Sequence, residues 1–206
     1  MPSSQSDWDA KHRLLAKEPP SEPASIVLEL LPLLPMGAAL DIACGTGRHT
    51  LLFAARGQHV TAVDWSSVAL DALGAHARGM QIPVSIAKNV TEAGSSKHAG
   101  IELTQKDLER SELPERRYDL IVCIQYLQRS LFRRMARALR PGGVLLFETF
   151  TCAQLEFSGG PRNPNYLLET GELRESFPEL SVLFYRELRA GQGIASLLAK
   201  KPDQRV

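Results

Sequence analysis

Four features of this chain are spaced for chemistry on a small ligand: Asp41, the turn Gly45-Thr46-Gly47, Asp64 and Asp107. The turn lies in ALDIACGTGRHT, where a short apolar run leads in and a helix-like run leads out. Two glycine-loop chemistries compete for it. A dinucleotide loop has the form G-x-G-x-x-G, its last glycine letting helix and strand pack while pyrophosphate meets the helix N-terminus. Position 50 is threonine, so that third glycine is missing. The phosphate-binding form G-x-x-x-x-G-K-[ST] is absent too. An isolated G-x-G is a weak signal, because many tight turns carry one.

The neighbouring carboxylates sharpen it. Asp41 falls at the end of a first strand, poorly placed beside a pyrophosphate and well placed for a ligand with a positive amino group. Asp64 ends the next strand, where a carboxylate accepts both hydroxyls of a ribose. Asp107, followed by Leu108, would end a third strand and receive an adenine amino group. A ligand with a cationic end, a ribose and a base, and no required phosphate, fits S-adenosyl-L-methionine.

The elements that must position these residues read as an α/β chain. Residues 38–43, 59–63, 119–124 and 144–150 are apolar strands, and residues 47–56, 66–78 and 128–139 are helical. Ser66 or Ser67 is the N-cap of the second of these helices, and Gly57 stops the first. Residues 25–34 form a helix broken by Pro32. Residues 82–87 and 101–105 both read as strands; 101–105 is preferred as the third strand of the sheet, leaving residues 79–100 as an insertion. A long loop over 151–169 and a short helix over 171–177 follow, then a closing hairpin of residues 181–188 and 194–200. Alternating strands and helices imply a parallel sheet covered on both faces, and the final hairpin an antiparallel edge. Residues 1–23 read as an arm with one short helix and a possible role as a lid, preceding a single domain over 24–206.

Composition narrows the partners. The chain has 206 residues, with 24 Lys and Arg against 23 Asp and Glu, so no global field recruits nucleic acid or an anionic membrane. The apolar runs are of strand length, too short to span a bilayer. The polar opening MPSSQSDWDAKH has no export pattern. Three widely spaced cysteines form neither a disulfide framework nor a zinc ligand pattern, so no metal site is expected. The expectation is a reduced, cytoplasmic protein, monomer or homodimer.

The residues also resemble a family. ALDIACGTGRHTLLFAARGQHVTAVDWS resembles motif I and the following acidic strand end of class I S-adenosylmethionine-dependent methyltransferases. QKDLERSELPERRYDLIVC resembles the next two motifs and LRPGGVLLFETF the strand-five motif, so the likeness spans residues 25–150. PRNPNYLLETGELRESFP, with DWDAKH, is more narrowly similar to small bacterial methyltransferases grouped with tellurite-resistance proteins. The 79–100 segment is longer than the family usually has. The resemblance implies a Rossmann-like fold with a mostly parallel seven-stranded sheet and an antiparallel C-terminal strand. It implies backbone approach to the cofactor at Ala43, Cys44, Gly45 and Gly47, and the methionine amino group near Asp41. The ribose would lie on Asp64 beside Ser66, with the adenine between Trp65 and Leu108 and on Asp107. Cys123 and Gln125 would face the methionine end.

A sulfonium methyl is already activated, so the protein must align the acceptor and exclude water. A base matters only if the acceptor arrives protonated. Tyr126 and Arg129 after the fourth strand, with Thr149, Thr151, Gln154, Phe157, Arg162, Asn163 and Tyr166 in or beside the long loop, are the candidate acceptor pocket. Trp8 and His12 of the arm would close over the cofactor, with His12 a candidate base; Tyr126, His12 and Arg162 are the candidate catalytic residues. Arg129, Arg133, Arg137 and Arg140 share a helical face, which reads first as a solvated face and second as an RNA contact. The stretch Cys123-Ile124-Gln125-Tyr126 replaces the Asn/Asp-Pro-Pro-aromatic tetrad of base-amino methylases, favouring a small-molecule acceptor, with a thiol or metalloid oxyanion first. An RNA or protein methyltransferase, and a binding module that holds the cofactor without transfer, are the alternatives.

Overall fold

The structure is a computed structural model that describes residues 4–15, 18, 20–88, 90 and 98–203. Its eight strands are β1 (Ala38–Ile42), β2 (His59–Asp64), β3 (Val84–Ile86), β4 (Gly100–Gln105), β5 (Tyr118–Ile124), β6 (Leu139–Phe150), β7 (Ser181–Arg189) and β8 (Gly193–Lys200). They form one sheet in the order β3-β4-β2-β1-β5-β6-β8-β7. Only β8 runs against its neighbours, pairing antiparallel with both β6 and β7. The chain starts in mid-sheet at β1, steps to β2, passes to the edge at β3, and comes back to place β4 between β2 and β3. It then returns to the other flank of β1 with β5. That reversal, with Asp41 beside Val122 and Ile42 beside Cys123, is where an open α/β sheet leaves a crevice beyond its strand ends.

The sheet has eight strands where seven were expected. Both alternatives for the third strand are used: residues 100–105 take the place beside β2, and Val84–Ile86 adds outside them through β4 alone. The extra strand is three residues long, and Ile86 on it is exposed. Residues 79–100 are therefore not wholly an insertion; residues 89 and 91–97 of that segment lie outside the described residues.

Helices cover both faces. α2 (Ser25–Leu30), α3 (Arg48–Ala55) and α4 (Ser67–Gly79) bury Ile26, Phe53 and Leu73 against one face. α5 (Phe132–Ala138) and α6 (Glu172–Glu175) cover the other, where Phe132, Phe147 and Phe177 meet with ring centroids 5.1–6.1 Å apart. Burial on two faces explains why β2 is buried at every position and reads as a continuous run rather than an alternation. α1 (Gln5–Leu15), the helix expected in the arm, docks on α4. The 151–169 loop contains 3-10 turns at Cys152–Glu156 and Pro164–Tyr166. Its ends close on each other: Leu168 N donates to Phe150 O, and Cys152 N to Leu168 O, at 2.9 and 2.8 Å.

Candidate functional site

A cavity of about 350 Å³ opens beyond the carboxyl ends of β2, β1, β5 and β6, at the reversal of strand order. Asp64, Ala43, Gln125 and Thr149 mark those four ends along its wall. The turn after β1 is shaped by three residues with positive φ: Ala43 at 55°, Gly45 at 55° and Gly47 at 90°. Gly47 has a second constraint, since a Cβ there would run into the Leu73 side chain of α4. Gly47 thus lets the turn before α3 lie directly against Leu73 of α4. Gln125, at the end of β5, also has a positive φ of 59°. Two non-glycine residues on adjacent strand ends thus hold backbone conformations that cost energy, a pattern concentrated at functional sites.

Asp64 is 8% exposed and holds the turn in place. Its Oδ2 accepts from Gly45 N at 2.8 Å and its Oδ1 from Ser66 N at 2.9 Å. Burial raises its carboxyl, while those two amides and the nearby His12 ring oppose the shift. Trp65, Asp107 and Leu108 line the same part of the cavity. Asp107 Oδ1 accepts from Glu109 N at 3.0 Å, and its carboxylate pairs with Arg110 at 3.6 Å.

Three residues assigned to the cofactor stand behind the wall rather than on it. Asp41 is fully buried, with Oδ2 accepting from Thr50 Oγ1 at 2.6 Å, so its carboxylate is spent on holding α3 to β1. Burial pushes that carboxyl up to about 7. Ser66 is the N-cap of α4, its Oγ accepting from Ala69 N at 3.2 Å and donating to Asp9 Oδ1 at 2.6 Å. Cys123 is buried in the core and its Sγ contacts Tyr126 O at 3.6 Å; burial raises this thiol and that of Cys44 well above the usual range. Cys44, Gly45, Gly47 and Gln125 do line the cavity.

The acceptor candidates divide in two. Tyr126, Thr149 and Tyr166 line the cavity, together with Trp8 and His12 of α1. The others do not reach it, because the 151–169 loop uses them to fold itself. Arg129 pairs with Glu172 at 2.5 Å and also donates to Leu167 O and Asn165 O. Arg162 donates to Leu155 O and Phe157 O, at 2.8 and 2.7 Å, so neither Arg162 nor Phe157 reaches the wall. Gln154 bridges Gly159 O and Gly193 N, Asn163 caps the turn at Pro164, and Thr151 joins Leu168 in a bridge. Of the supposed basic face, Arg129, Arg137 and Arg140 pair with Glu172, Glu115 and Asp119, while Arg133 is exposed.

Sequence reasoning missed Arg48, whose Nη2 donates to Gln125 Oε1 at 3.1 Å on the cavity wall. It sits directly after Gly47, at the point where a helix leaves a strand end, and that position was the available signal. Lys11 was missed as well; its ammonium lies 4.5 Å from the Trp8 ring, at helical i, i+3 spacing. His49 lines the cavity with Nε2 accepting from Ala24 N at 3.2 Å, and burial lowers its pKa to about 3, so it stays neutral.

Among the described residues no helix is long and apolar enough to cross a membrane. Nor does any group of three His, Cys, Asp or Glu gather that could hold a metal ion.

The chemistry of the wall fits a charged nucleoside: a buried carboxylate at β2, aromatic and apolar surfaces beside it, and a glycine turn that brings backbone to the cavity. Comparison with known proteins agrees. Residues 40–147 match the family described as "Methyltransferase domain". A curated relative, the ubiquinone biosynthesis O-methyltransferase of Alkalilimnicola ehrlichii, is 27% identical over 135 residues, 63% of this chain and 48% of that protein. The matched segment thus spans about half the length of that relative. The crystal structure of TehB from Haemophilus influenzae superposes with a TM-score of 0.68 at 19% identity, over 87% of this chain and 62% of that one. An S-adenosylmethionine-dependent methyltransferase from Mesorhizobium loti gives 0.64 at 18% identity, over 86% of this chain and 98% of that one. The chain belongs to the methyltransferase-domain family, the class I S-adenosylmethionine-dependent methyltransferases, whose cofactor is S-adenosyl-L-methionine.

Proposed function

We propose that this chain transfers the methyl group of S-adenosylmethionine to a small molecule held between the cofactor and the loop after β6. The observation that carries this reading is the union of two kinds of wall around one cavity. Its β2–β1 side has Asp64 and the glycine turn; its β5–β6 side has Tyr126, Thr149, Phe150, Pro161 and Tyr166. Asp64 would take the ribose hydroxyls, Trp65 and Leu108 the adenine faces, and Asp107 the exocyclic amine. Asp41 would make no direct contact, since it is buried behind the wall on Thr50. The cofactor supplies a methyl on sulfonium sulfur; the residues align an acceptor with it and keep water out. Transfer breaks the sulfur–methyl bond, forms a bond from methyl to acceptor, and leaves S-adenosylhomocysteine.

The acceptor is a thiol or a metalloid oxyanion. Such nucleophiles ionise near neutral pH and need little help from a base, and Arg48 on the wall beside Gln125 is a cation that an anionic acceptor could pair with. Burial and nearby charges raise the Tyr126 hydroxyl, so it stays protonated and serves as a hydrogen-bond donor. A cavity walled in part by Trp8, Lys11 and His12 of α1, with Arg129, Arg137 and Arg140 paired internally, supports a small acceptor over RNA or protein. A second reading, transfer to a hydroxyl oxygen, is favoured by the curated relatives, which are named as O-methyltransferases. His12 would then be the base.

The test is S-adenosylhomocysteine production from S-adenosylmethionine with one acceptor at a time: a simple thiol, selenite or tellurite, and a catechol. Product with the thiol or an oxyanion is expected. Product with catechol alone would favour the second reading, and none with any acceptor would leave a cofactor-binding module.

A further inference from the structure

Arg48 enters the cavity wall as the first residue of α3. It is half-buried, yet it pairs with no carboxylate among the described residues. Elsewhere Arg129, Arg140 and Arg186 each meet one at 2.5–3.0 Å. The carboxylates whose charge reaches Arg48 are Asp41 and Glu148. Both are buried, and each is engaged by a hydroxyl, from Thr50 at 2.6 Å and from Ser196 at 2.5 Å. The guanidinium makes one hydrogen bond among the described residues, Nη2 to Gln125 Oε1 at 3.1 Å. Its Nε and Nη1 have no partner there and, unlike the sealed Nη1 of Arg56, keep accessible surface.

Gln125 completes the pair. Its backbone is fixed at the end of β5, with φ at 59° and its N–H donating to Glu148 O at 2.7 Å. A guanidinium only donates, so Gln125 must turn its oxygen to Arg48. Its amide NH2 is then left without an acceptor among the described residues. Both side chains line the cavity. They set a cation and a group of N–H donors, with no acceptor among them, at the β1–β5 seam. The lining carboxylates Asp64, Asp107 and Glu109 all lie on the side of β2 and β4. The cavity is therefore polarised, with acceptors for hydroxyls and amines at one end and donors for an anion at the other.

We infer that Arg48 and Gln125 form an anion site, which takes the carboxylate or oxyanion of a bound ligand through the N–H groups they leave open. The inference rests on the reading that this cavity holds S-adenosylmethionine. Two sources supply such a group: the amino-acid carboxylate of the cofactor, and an acidic acceptor. Either one neutralises a guanidinium that the fold half-buries without an ion pair, a costly arrangement until the ligand arrives. Gln125 donates to the anion and also holds the guanidinium toward it.

The experiment is calorimetric titration of the wild type, Arg48→Met and Arg48→Lys, each checked for folding by circular dichroism. Two pairs of ligands differ by a carboxylate. S-adenosylhomocysteine carries one, and 5′-methylthioadenosine keeps the nucleoside and lacks the amino acid. Mercaptoacetate carries one, and 2-mercaptoethanol is neutral; both are titrated into protein saturated with S-adenosylhomocysteine. Arg48→Met should weaken a carboxylate ligand by at least about tenfold, the effect of a lost charged hydrogen bond, and leave its neutral counterpart unchanged. Arg48→Lys, which keeps the charge, recovers part of the affinity. A loss on S-adenosylhomocysteine names the cofactor as the source of the anion, and a loss on mercaptoacetate alone names the acceptor. If binding of neither carboxylate depends on Arg48, the inference is overturned. Equal weakening of a carboxylate ligand and its neutral counterpart overturns it too, making Arg48 a support of the glycine turn. A wild type that binds neither nucleoside refutes the cofactor reading itself, and this inference with it.

Discussion

The Gly45 amide donates to Asp64 Oδ2 at 2.8 Å, tying the turn after β1 to the carboxylate that ends β2. The other oxygen takes the Ser66 amide, so Asp64 holds both the cavity floor and the start of α4. A carboxylate has about four acceptor positions, which leaves capacity for a ligand after these two bonds. Asp64→Asn must turn an NH2 toward one of the two backbone donors. The expected cost is about 1–3 kcal/mol of folding stability, read by urea denaturation. A variant as stable as the wild type would show that the turn does not depend on this pairing.

Asp41 predicts a pH signature. Burial pushes its carboxyl up to about 7 from 3.8, with the Thr50 hydroxyl opposing the rise. Between those values the folded state holds a proton that the unfolded state has lost. The contribution is therefore full below pH 3.8 and is lost as pH rises through 7, by up to about 1.4 kcal/mol per pH unit. Asp41→Asn removes that slope. Urea midpoints at pH 5 and pH 8 should fall with pH more in the wild type than in the variant; parallel falls would refute the assignment.

The turn makes opposite predictions for two small residues. Gly47→Ala adds a Cβ at φ 90° and against Leu73, so it should cost at least about 1–3 kcal/mol and lower the thermal midpoint. Ala43→Gly relieves a residue at φ 55° and should be neutral or stabilising by up to about 1 kcal/mol. Thermal melts of the two variants should move apart in sign, and a stable Gly47→Ala protein would contradict the packing described.

Arg129 is a staple of the 151–169 loop. Removing it frees Glu172 and the carbonyls of Asn165 and Leu167. Because Arg129 is partly exposed, Arg129→Ala should cost only about 1–2 kcal/mol. With Tyr166 and Pro161 on the cavity wall, KM for the acceptor should rise several-fold while affinity for S-adenosylhomocysteine stays unchanged. A loss of cofactor affinity instead would place the loop in the cofactor site.

What the sequence revealed follows from where signals are local. The runs leading to Asp41, Asp64 and Gln125 are buried on both faces, so their apolar continuity announced them and placed their ends together. Ser66 was legible as a cap because its chemistry concerns a donor three residues on. β3 was ambiguous because three residues at a sheet edge, with Ile86 exposed, carry almost no pattern. Arg129, Gln154 and Arg162 were misplaced for a different reason. Their side chains suit ligands and backbone carbonyls equally, and only the folded loop shows which carbonyls lie within reach. Asp41 looked like a direct ligand because Thr50, nine residues on, gave no sign of turning back to it.

The central claim is that the cavity at the β1–β5 reversal binds S-adenosylmethionine through Asp64. Calorimetric titration of the cofactor into the wild type and Asp64→Asn, each checked for folding by circular dichroism, tests it most directly. The account predicts one site per chain in the wild type and at least tenfold weaker binding in the variant. No binding by the wild type, or equal binding by a folded Asp64→Asn protein, would contradict it.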